Sequence, residues 1–279
     1  MVSTSSQPPL VRLIAWYGAM GVDGVVSEEA TDWLARGNRP PMGFSVPDPR
    51  APGTVPPPAL VSRPPPISPP PPARRFPTAA PDEAVTTARA LAARAGSLDE
   101  LGAALAGFEG CGLKATAKNL CFFRGSPNAP LMIIGEAPGR DEDLEGRPFV
   151  GAAGRLLDKM LAAIGLTEAD VHITNTVYWR PPGNRVPTPQ EAQVCRPFLE
   201  RQIDLLNPKL ILTLGGPAIK NLCNLDGIMK VRGTWRTYTA GNREVPVLPT
   251  LHPAYLLRSP LAKRLAWRDF LTVKIKLSE

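Results

Sequence analysis

Short apolar runs alternate with longer amphipathic segments through the C-terminal two thirds of the chain. In the longer segments apolar residues recur at steps of three and four, the spacing of an amphipathic helix. The short runs have the length of buried strands, and two of them are followed by glycine. Strands that alternate with helices predict an α/β fold, with a parallel sheet and helices on both faces. The predicted strands are 131–134, 171–174, 210–214 and 245–251, and the predicted helices between them are 153–164, 189–206 and 217–225.

The first 82 residues follow a different pattern. Apolar positions at helical spacing within 10–37 predict a helical segment, which we assign to residues 1–37. Residues 38–82 are rich in proline. The whole chain contains 34 prolines among its 279 residues. Proline runs favour extended polyproline II structure, so we expect a disordered linker there. The folded domain is then predicted at 83–279, and its first part, up to residue 107, is predicted to be helical.

Charge and cysteine content narrow the class of protein. Lys and Arg total 32 against 25 Asp and Glu, a formal net charge of +7. This excess favours a polyanionic partner, nucleic acid first, although a basic surface kept for solubility would give the same count. The four cysteines include no CxxC pair and do not resemble a secreted disulfide framework. The apolar stretch 13–22 is too short to span a bilayer, so we expect a cytoplasmic protein without a membrane partner.

Polar side chains follow the predicted strands. Glu136 comes after the first strand, Asn175 after the second and His252 after the fourth. Because ligands of open parallel sheets bind beyond the carboxyl ends of the strands, these three residues are candidates for a site. A turn asparagine and a structural histidine are the simpler alternatives for Asn175 and His252 taken singly. His172 lies inside a strand and is predicted to be structural.

Three segments around these residues share one resemblance. Residues 135–154 contain Gly-Glu-Ala-Pro-Gly and Gly-Arg-Pro-Phe-Val-Gly, residues 174–185 contain Arg-Pro-Pro-Gly-Asn-Arg, and residues 250–258 contain His-Pro-Ala-Tyr-Leu-Leu-Arg. In this order they resemble the uracil-DNA glycosylase superfamily, and most of all its family 4, the iron–sulfur type of bacteria and archaea. The resemblance implies a three-layer α-β-α sandwich with a central four-stranded parallel sheet. It also implies an enzyme that flips a deaminated base out of DNA and hydrolyses its N-glycosidic bond.

The resemblance further implies how the base is held. Phe149 would stack on the flipped uracil, and Asn175 would bind the polar edge of the base. His252 would face uracil O2, where a donor stabilises the negative charge of the leaving base. Glu136 and Ala137 would border the base and the attacking water.

Other implied roles concern the water and the DNA. Glu142 and Asn184 match a Glu–Asn pair of the catalytic pocket. Because alanine at position 137 cannot hold the water, Glu136, Glu142 and Asn184 remain alternatives for orienting it. A wedge loop and a basic stretch would contact the DNA backbone and minor groove. The residues implied in DNA contact are Leu256, Leu257, Arg258 and Arg264.

The sequence departs from family 4 at the iron–sulfur cluster. Two of the four ligand positions hold Phe108 and Trp179, and only Cys111 and Cys195 remain. A [4Fe–4S] cluster normally takes four cysteine ligands, so we expect no cofactor. Substitution of the lost ligands by Cys121 or Cys223 stays open as an alternative.

Taken together, these observations predict a monomeric, cytoplasmic bacterial enzyme that removes uracil from DNA, in single or double strands, and starts base-excision repair. Two alternatives stay open. One is a glycosylase of broader specificity that accepts other deaminated bases, such as xanthine and hypoxanthine. The other is a non-catalytic DNA-binding or polymerase-associated module that has kept the fold.

Overall fold

The computed structural model of the chain describes residues 81–241 and 243–279. The strands within them are β1 (Arg124–Gly125), β2 (Leu131–Gly135), β3 (Val171–Asn175), β4 (Leu210–Leu214), β5 (Arg236–Ala240) and β6 (Arg243–Thr250). They form one sheet in the order β1-β3-β2-β4-β6-β5. The four central strands are parallel, whereas β1 and β5 pair antiparallel with β3 and β6 at the two edges. The predicted α/β class and parallel four-stranded core are confirmed, and the two edge strands were not predicted.

Helices connect the strands and precede the sheet. The α-helices of the described residues are α1 (Pro81–Arg94), α2 (Leu98–Gly107), α3 (Arg140–Glu145), α4 (Ala152–Ala163), α5 (Pro189–Leu206), α6 (Gly216–Cys223), α7 (Ile228–Val231), α8 (Pro253–Arg258) and α9 (Lys263–Leu277). None of these helices combines the length and the apolar character that a membrane-spanning helix needs.

Capping residues explain where two of the helices begin. The Thr188 hydroxyl accepts a hydrogen bond from the Glu191 N–H at 3.2 Å, and the Glu191 carboxylate accepts one from the Thr188 N–H at 2.8 Å. This capping box starts α5, whose bounds agree with the prediction. The helical stretch predicted up to residue 107 is two helices, because Ser97 caps a new one by accepting from the Glu100 N–H.

The sheet separates two apolar layers. Along β2, Leu131 and Ile133 pack with α4 and α9 on one face, whereas Met132 and Ile134 pack with α5 and α6 on the other. All four side chains are fully buried. Burying a side chain of this size contributes about 1.5–3 kcal/mol, so the alternation along one strand fixes both helix layers.

A third apolar cluster lies beside the sandwich. Small residues of α1, among them Ala84 and Ala88, pack with Phe198 of α5, and Leu101 and Leu105 of α2 belong to the same cluster. The predicted helical segment 1–37 and nearly all of the predicted linker 38–82 lie outside the described residues. At the boundary, α1 begins at Pro81, slightly earlier than the domain start predicted at residue 83.

Candidate active site

The carboxyl ends of the parallel strands bring the candidate residues to one edge of the sheet. Gly135 ends β2 and Asn175 ends β3, and the two are direct partners in the parallel ladder. Gly215 follows β4, and its N–H donates to the carbonyl of Thr250, the last residue of β6, at 2.8 Å. His252 lies two residues further on, against Gly215, where an added Cβ would approach the His252 Cβ to 3.2 Å.

Phe149 lies in the loop between α3 and α4, and its ring is next to His252. Its ring centroid lies 5.6 Å from that of His252, with 31° between the two planes. Its φ of 56° is uncommon for a residue other than glycine, and the chain passes so close that a Cβ at Gly154 would overlap the Phe149 carbonyl. A Cβ at Gly135 would lie 2.5 Å from the Phe149 ring and would also overlap the Asn175 amide. The missing side chain of Gly135 therefore lets the ring and the amide adjoin.

Asn175 is buried without a hydrogen-bond partner. Its side chain is 1% exposed, and neither Oδ1 nor Nδ2 has a partner among the described residues. An unpaired buried polar group costs about 1–3 kcal/mol. The amide therefore offers one acceptor and one donor to a ligand that brings the matching pair.

His252 has one ring nitrogen fixed by the backbone. Its Nδ1 accepts a hydrogen bond from the Ala254 N–H at 3.1 Å, in the first turn of α8. Burial, together with the positive charge of Arg258, lowers the pKa of His252 to about 4, so the ring is neutral at pH 7. Because Nδ1 is an acceptor, the single ring proton of the neutral form lies on Nε2. The site thus contains a neutral histidine whose Nε2–H is a donor.

Glu142 of α3 joins the backbone just before α3 to the backbone just before α4. Its Oε2 accepts from the Gly139 N–H at 3.1 Å and its Oε1 from the Gly151 N–H at 2.9 Å. Both carboxylate oxygens are thereby engaged by the backbone. This geometry links the N-termini of α3 and α4, and the loop that carries Phe149 lies between these two helices.

The other predicted polar residues have different surroundings. Glu136 and Ala137 are half-buried, and the Glu136 carboxylate has no hydrogen-bond partner among the described residues. Burial raises the pKa of Glu136. Asn184 is exposed, and its Oδ1 accepts from Arg180 Nε at 2.7 Å. Glu142 and Asn184 thus have separate hydrogen-bond partners in this structure.

The predicted DNA-contacting residues divide between surface and core. Leu257 is 44% exposed, and Arg258 and Arg264 are exposed as well. Leu256 requires a correction, because its side chain is fully buried in a small cluster that includes Ala266 of α9. It cannot reach DNA in this conformation, and of the two leucines only Leu257 is available as a wedge.

The residues at the predicted cluster position do not fit a four-cysteine cluster. Phe108 and Trp179 are 3% and 2% exposed and belong to the apolar cluster around α5. The sulfurs of Cys111 and Cys195 lie 3.9 Å apart within it. The thiol of Cys121 donates to the Glu142 carbonyl at 3.1 Å instead of completing a ligand set. Within the described residues, no three Cys, His, Asp or Glu side chains form a group able to hold a metal ion.

Sequence reasoning missed buried residues that contact the end of β6, next to the site. A buried carboxylate, Asp269 of α9, hydrogen-bonds to Thr250 and to Arg232. These residues are far apart in sequence and match no motif, so only the fold reveals their association. The role of Gly135 was also missed, although a glycine directly after an apolar run is a recognisable signal.

Comparison with known proteins gives a consistent result. A family described as the uracil DNA glycosylase superfamily matches residues 122–271. A type-4 uracil-DNA glycosylase of Sulfurisphaera tokodaii is 45% identical over 156 residues, 54% of this chain and 71% of that protein. One from Archaeoglobus fulgidus is 40% identical over 179 residues, 62% of this chain and 90% of that protein. One from Thermotoga maritima is 42% identical over 153 residues, 53% of this chain and 77% of that protein.

Proposed function

The chain belongs to the uracil DNA glycosylase superfamily, and from this premise we propose that it hydrolyses the N-glycosidic bond of deoxyuridine in DNA. The observation that carries the proposal is the buried, unpaired amide of Asn175 beside the Phe149 ring. Uracil offers an acceptor at O4 next to a donor at N3–H. Asn175 Nδ2 and Oδ1 match this pair once the nucleotide is flipped out of the stack, and Phe149 supplies a face for the base to stack on.

His252 is suited to the charge that develops as the bond breaks. Cleavage leaves negative charge on the uracil, part of it on O2, and positive charge on the sugar. A neutral imidazole that donates from Nε2 stabilises this anion through a hydrogen bond. One such donor in a preorganised site typically contributes about 3–4 kcal/mol to the lowering of the barrier.

We assign the orientation of the attacking water to Glu136. Glu142 has both oxygens engaged by backbone N–H groups, and Asn184 is exposed with its oxygen bonded to Arg180. The Glu136 carboxylate keeps its acceptor sites free and is half-buried at the end of β2. It also places negative charge near a sugar that becomes cationic, which favours the same step electrostatically.

DNA contact is assigned to the exposed side chains that follow the site. Leu257 stands beyond His252 in α8 and is available to fill the space that a flipped nucleotide leaves. Arg258 and Arg264 are exposed cations suited to phosphates. We propose that the enzyme does this work as a monomer in the cytoplasm.

The test is a single-turnover cleavage assay with the full-length protein. A labelled oligonucleotide that contains one deoxyuridine is incubated with excess enzyme, and the abasic product is cleaved with alkali. We expect cleavage of uracil DNA and none of the same strand with thymine. Asn175→Ala and His252→Gln should each lose at least about a hundredfold in rate. Asn128→Ala is the matched control, because Asn128 is exposed and precedes β2 at the opposite edge of the sheet.

The same assay separates the alternatives. Cleavage of hypoxanthine or xanthine DNA at a similar rate would favour the broader glycosylase, because these bases present a similar donor–acceptor pair on a larger ring system. Salt-sensitive DNA binding without cleavage of any of these substrates would favour the non-catalytic module.

We also propose that the enzyme works without an iron–sulfur cluster. In support, Phe108 and Trp179 occupy two ligand positions and pack among buried apolar side chains, and the ring of Phe108 lies 5.2 Å from that of Phe198. Aromatic packing would then link the segments that a cluster would otherwise hold. No catalytic step proposed above requires the cluster.

Restoring the cysteines tests this second proposal. The protein is purified without oxygen, and iron is measured per chain in the wild type and in the double variant Phe108→Cys, Trp179→Cys. We expect the wild type to be colourless and the double variant to bind iron after reconstitution with iron and sulfide. A wild type that carries about four irons per chain would overturn the proposal. Loss of that iron in Cys121→Ser or Cys223→Ser would then identify the substitute ligands.

A further inference from the structure

A buried ion pair contacts Thr250, which ends β6 two residues before His252. Asp269, in the middle of α9, is 2% exposed. One of its carboxylate oxygens accepts from the Thr250 hydroxyl at 2.6 Å and from Arg232 Nε at 3.1 Å. The other oxygen accepts from Arg232 Nη2. The carboxylate is therefore held by a two-pronged guanidinium and by a hydroxyl at the end of β6.

These contacts tie three segments of the chain together. Arg232 follows α7, and its Nη2 also donates to the Leu265 carbonyl of α9 at 2.7 Å. The next residue, Gly233, has a φ of 70°, and its N–H donates to the Pro249 carbonyl of β6 at 2.9 Å. A Cβ at Gly233 would lie 2.6 Å from Asp269 Oδ1, so the turn fits closely against the carboxylate.

Thr250 links this network to the active site. Its hydroxyl donates to Asp269 on one side, and its carbonyl accepts from the Gly215 N–H on the other. Gly215 in turn lies against His252. The backbone that leads into His252 is thus held from two directions, by α9 and by the end of β4.

Stability alone does not account for such an arrangement. A buried ion pair gains little over apolar residues of the same volume, because both charges lose their hydration. Its directional bonds do fix geometry, and a catalytic donor must stay within about 0.5 Å of its productive position. A shift of about 1 Å can cost a hundredfold in rate.

We propose that Asp269, Arg232 and Thr250 form a positioning network that sets His252 Nε2 at the distance needed for uracil O2. This inference rests on the function proposed above. The three residues touch neither the base nor the sugar, and they act through the backbone of residues 250–252. Asp269 belongs to α9, the helix that also bears the exposed Arg264, so this helix and the histidine segment share one buried contact.

Replacement of the Thr250 hydroxyl tests the network. Thr250→Val removes the donor and keeps the shape of the side chain, and Thr250→Ser restores the donor. Thr213→Val is the matched control, because Thr213 is a fully buried threonine of neighbouring β4 whose hydroxyl has no partner among the described residues. We expect Thr250→Val to lower the single-turnover rate about ten- to a hundredfold, with the Kd for uracil DNA nearly unchanged. Thr250→Ser and Thr213→Val should stay near the wild-type rate.

A second readout does not depend on activity. The ¹⁵N chemical shifts of the His252 imidazole report its tautomer and hydrogen bonding. We expect them to move in Thr250→Val and to return in Thr250→Ser. If Thr250→Val does not fold, Arg232→Lys is measured instead. Lysine keeps the positive charge but cannot reproduce the paired hydrogen bonds of the guanidinium to Asp269.

Two results would overturn the positioning role. One is a wild-type rate in Thr250→Val together with unchanged imidazole shifts. The other is an equal loss of rate in Thr213→Val. Failure of the proposed function is distinct, because the wild type would then leave uracil DNA intact while the imidazole shifts still separated the Thr250 variants.

Discussion

Acid should destabilise this protein through His172, one of its two histidines. His172 lies in β3 and is fully buried. Its Nδ1 donates to the Ser126 carbonyl at 3.0 Å, and its Nε2 accepts from Gln202 Nε2 at 2.9 Å. Gln202 Oε1 accepts in turn from the Tyr178 hydroxyl at 2.9 Å. The neutral ring satisfies every member of this chain, whereas a proton on Nε2 would face another donor.

The size of the effect follows from the pKa of His172, which burial lowers to about 4. An unfolded histidine has a pKa of about 6.5, so the unfolded state binds the proton more readily between these two values. The stabilisation from the neutral ring is complete above about pH 6.5 and is lost as the pH falls towards 4. Two and a half pKa units correspond to about 3 kcal/mol, of which about 2 kcal/mol is already lost at pH 5.

Urea unfolding at about pH 7.5 and about pH 5 measures this loss. His172→Gln should be less stable at the higher pH, but its free energy of unfolding should fall by about 2 kcal/mol less than that of the wild type between the two. His252 also has a pKa lowered to about 4, so His252→Gln removes its separate contribution. Identical pH dependence in His172→Gln and the wild type would refute the reasoning.

Three further substitutions have expected outcomes. Gly135→Ala should reduce uracil excision at least about a hundredfold and leave DNA affinity intact, measured by single-turnover cleavage and by binding, because the added Cβ displaces Phe149 and the Asn175 amide. Glu142→Gln should lower the free energy of unfolding by about 1–3 kcal/mol in urea titrations, since the amide can accept only one of the two backbone N–H bonds. Arg258→Ala should weaken binding to any DNA sequence and reduce the salt dependence of the Kd by about one phosphate contact, and an unchanged slope would exclude that contact.

The central sheet was predictable from the sequence because its strands are buried on both faces. Such strands are rich in apolar residues, as β2 and β4 show most clearly, and all four were identified close to their observed bounds. The edge strands lack that signal. β1 comprises two residues, and β5 alternates exposed polar positions with buried ones at a free edge. A strand of either kind is recognisable only when its partner is known.

The site was predictable only in part, because motifs give residue types without their contacts. Asn175, Phe149 and His252 lie together as expected. The bonds of Glu142 go to backbone N–H groups, and no side-chain pattern shows where those groups lie. Leu256 was misplaced because the motif does not show which way each side chain points: consecutive residues of a helix point about 100° apart, and in α8 Leu256 is buried while Leu257 is exposed.

The unpaired amide of Asn175 lowers the stability of the folded chain while it serves the binding of the base. Neither polar atom of its side chain has a hydrogen-bond partner among the described residues, so an apolar residue of similar size at this position should raise the stability of the unliganded protein. The asparagine is kept at the expense of thermal resistance, so stabilising substitutions should be easiest to find here and most harmful to activity. Free uracil should supply hydrogen-bond partners to the Asn175 amide. The product of the reaction would then act both as a thermal stabiliser of the enzyme and as its competitive inhibitor.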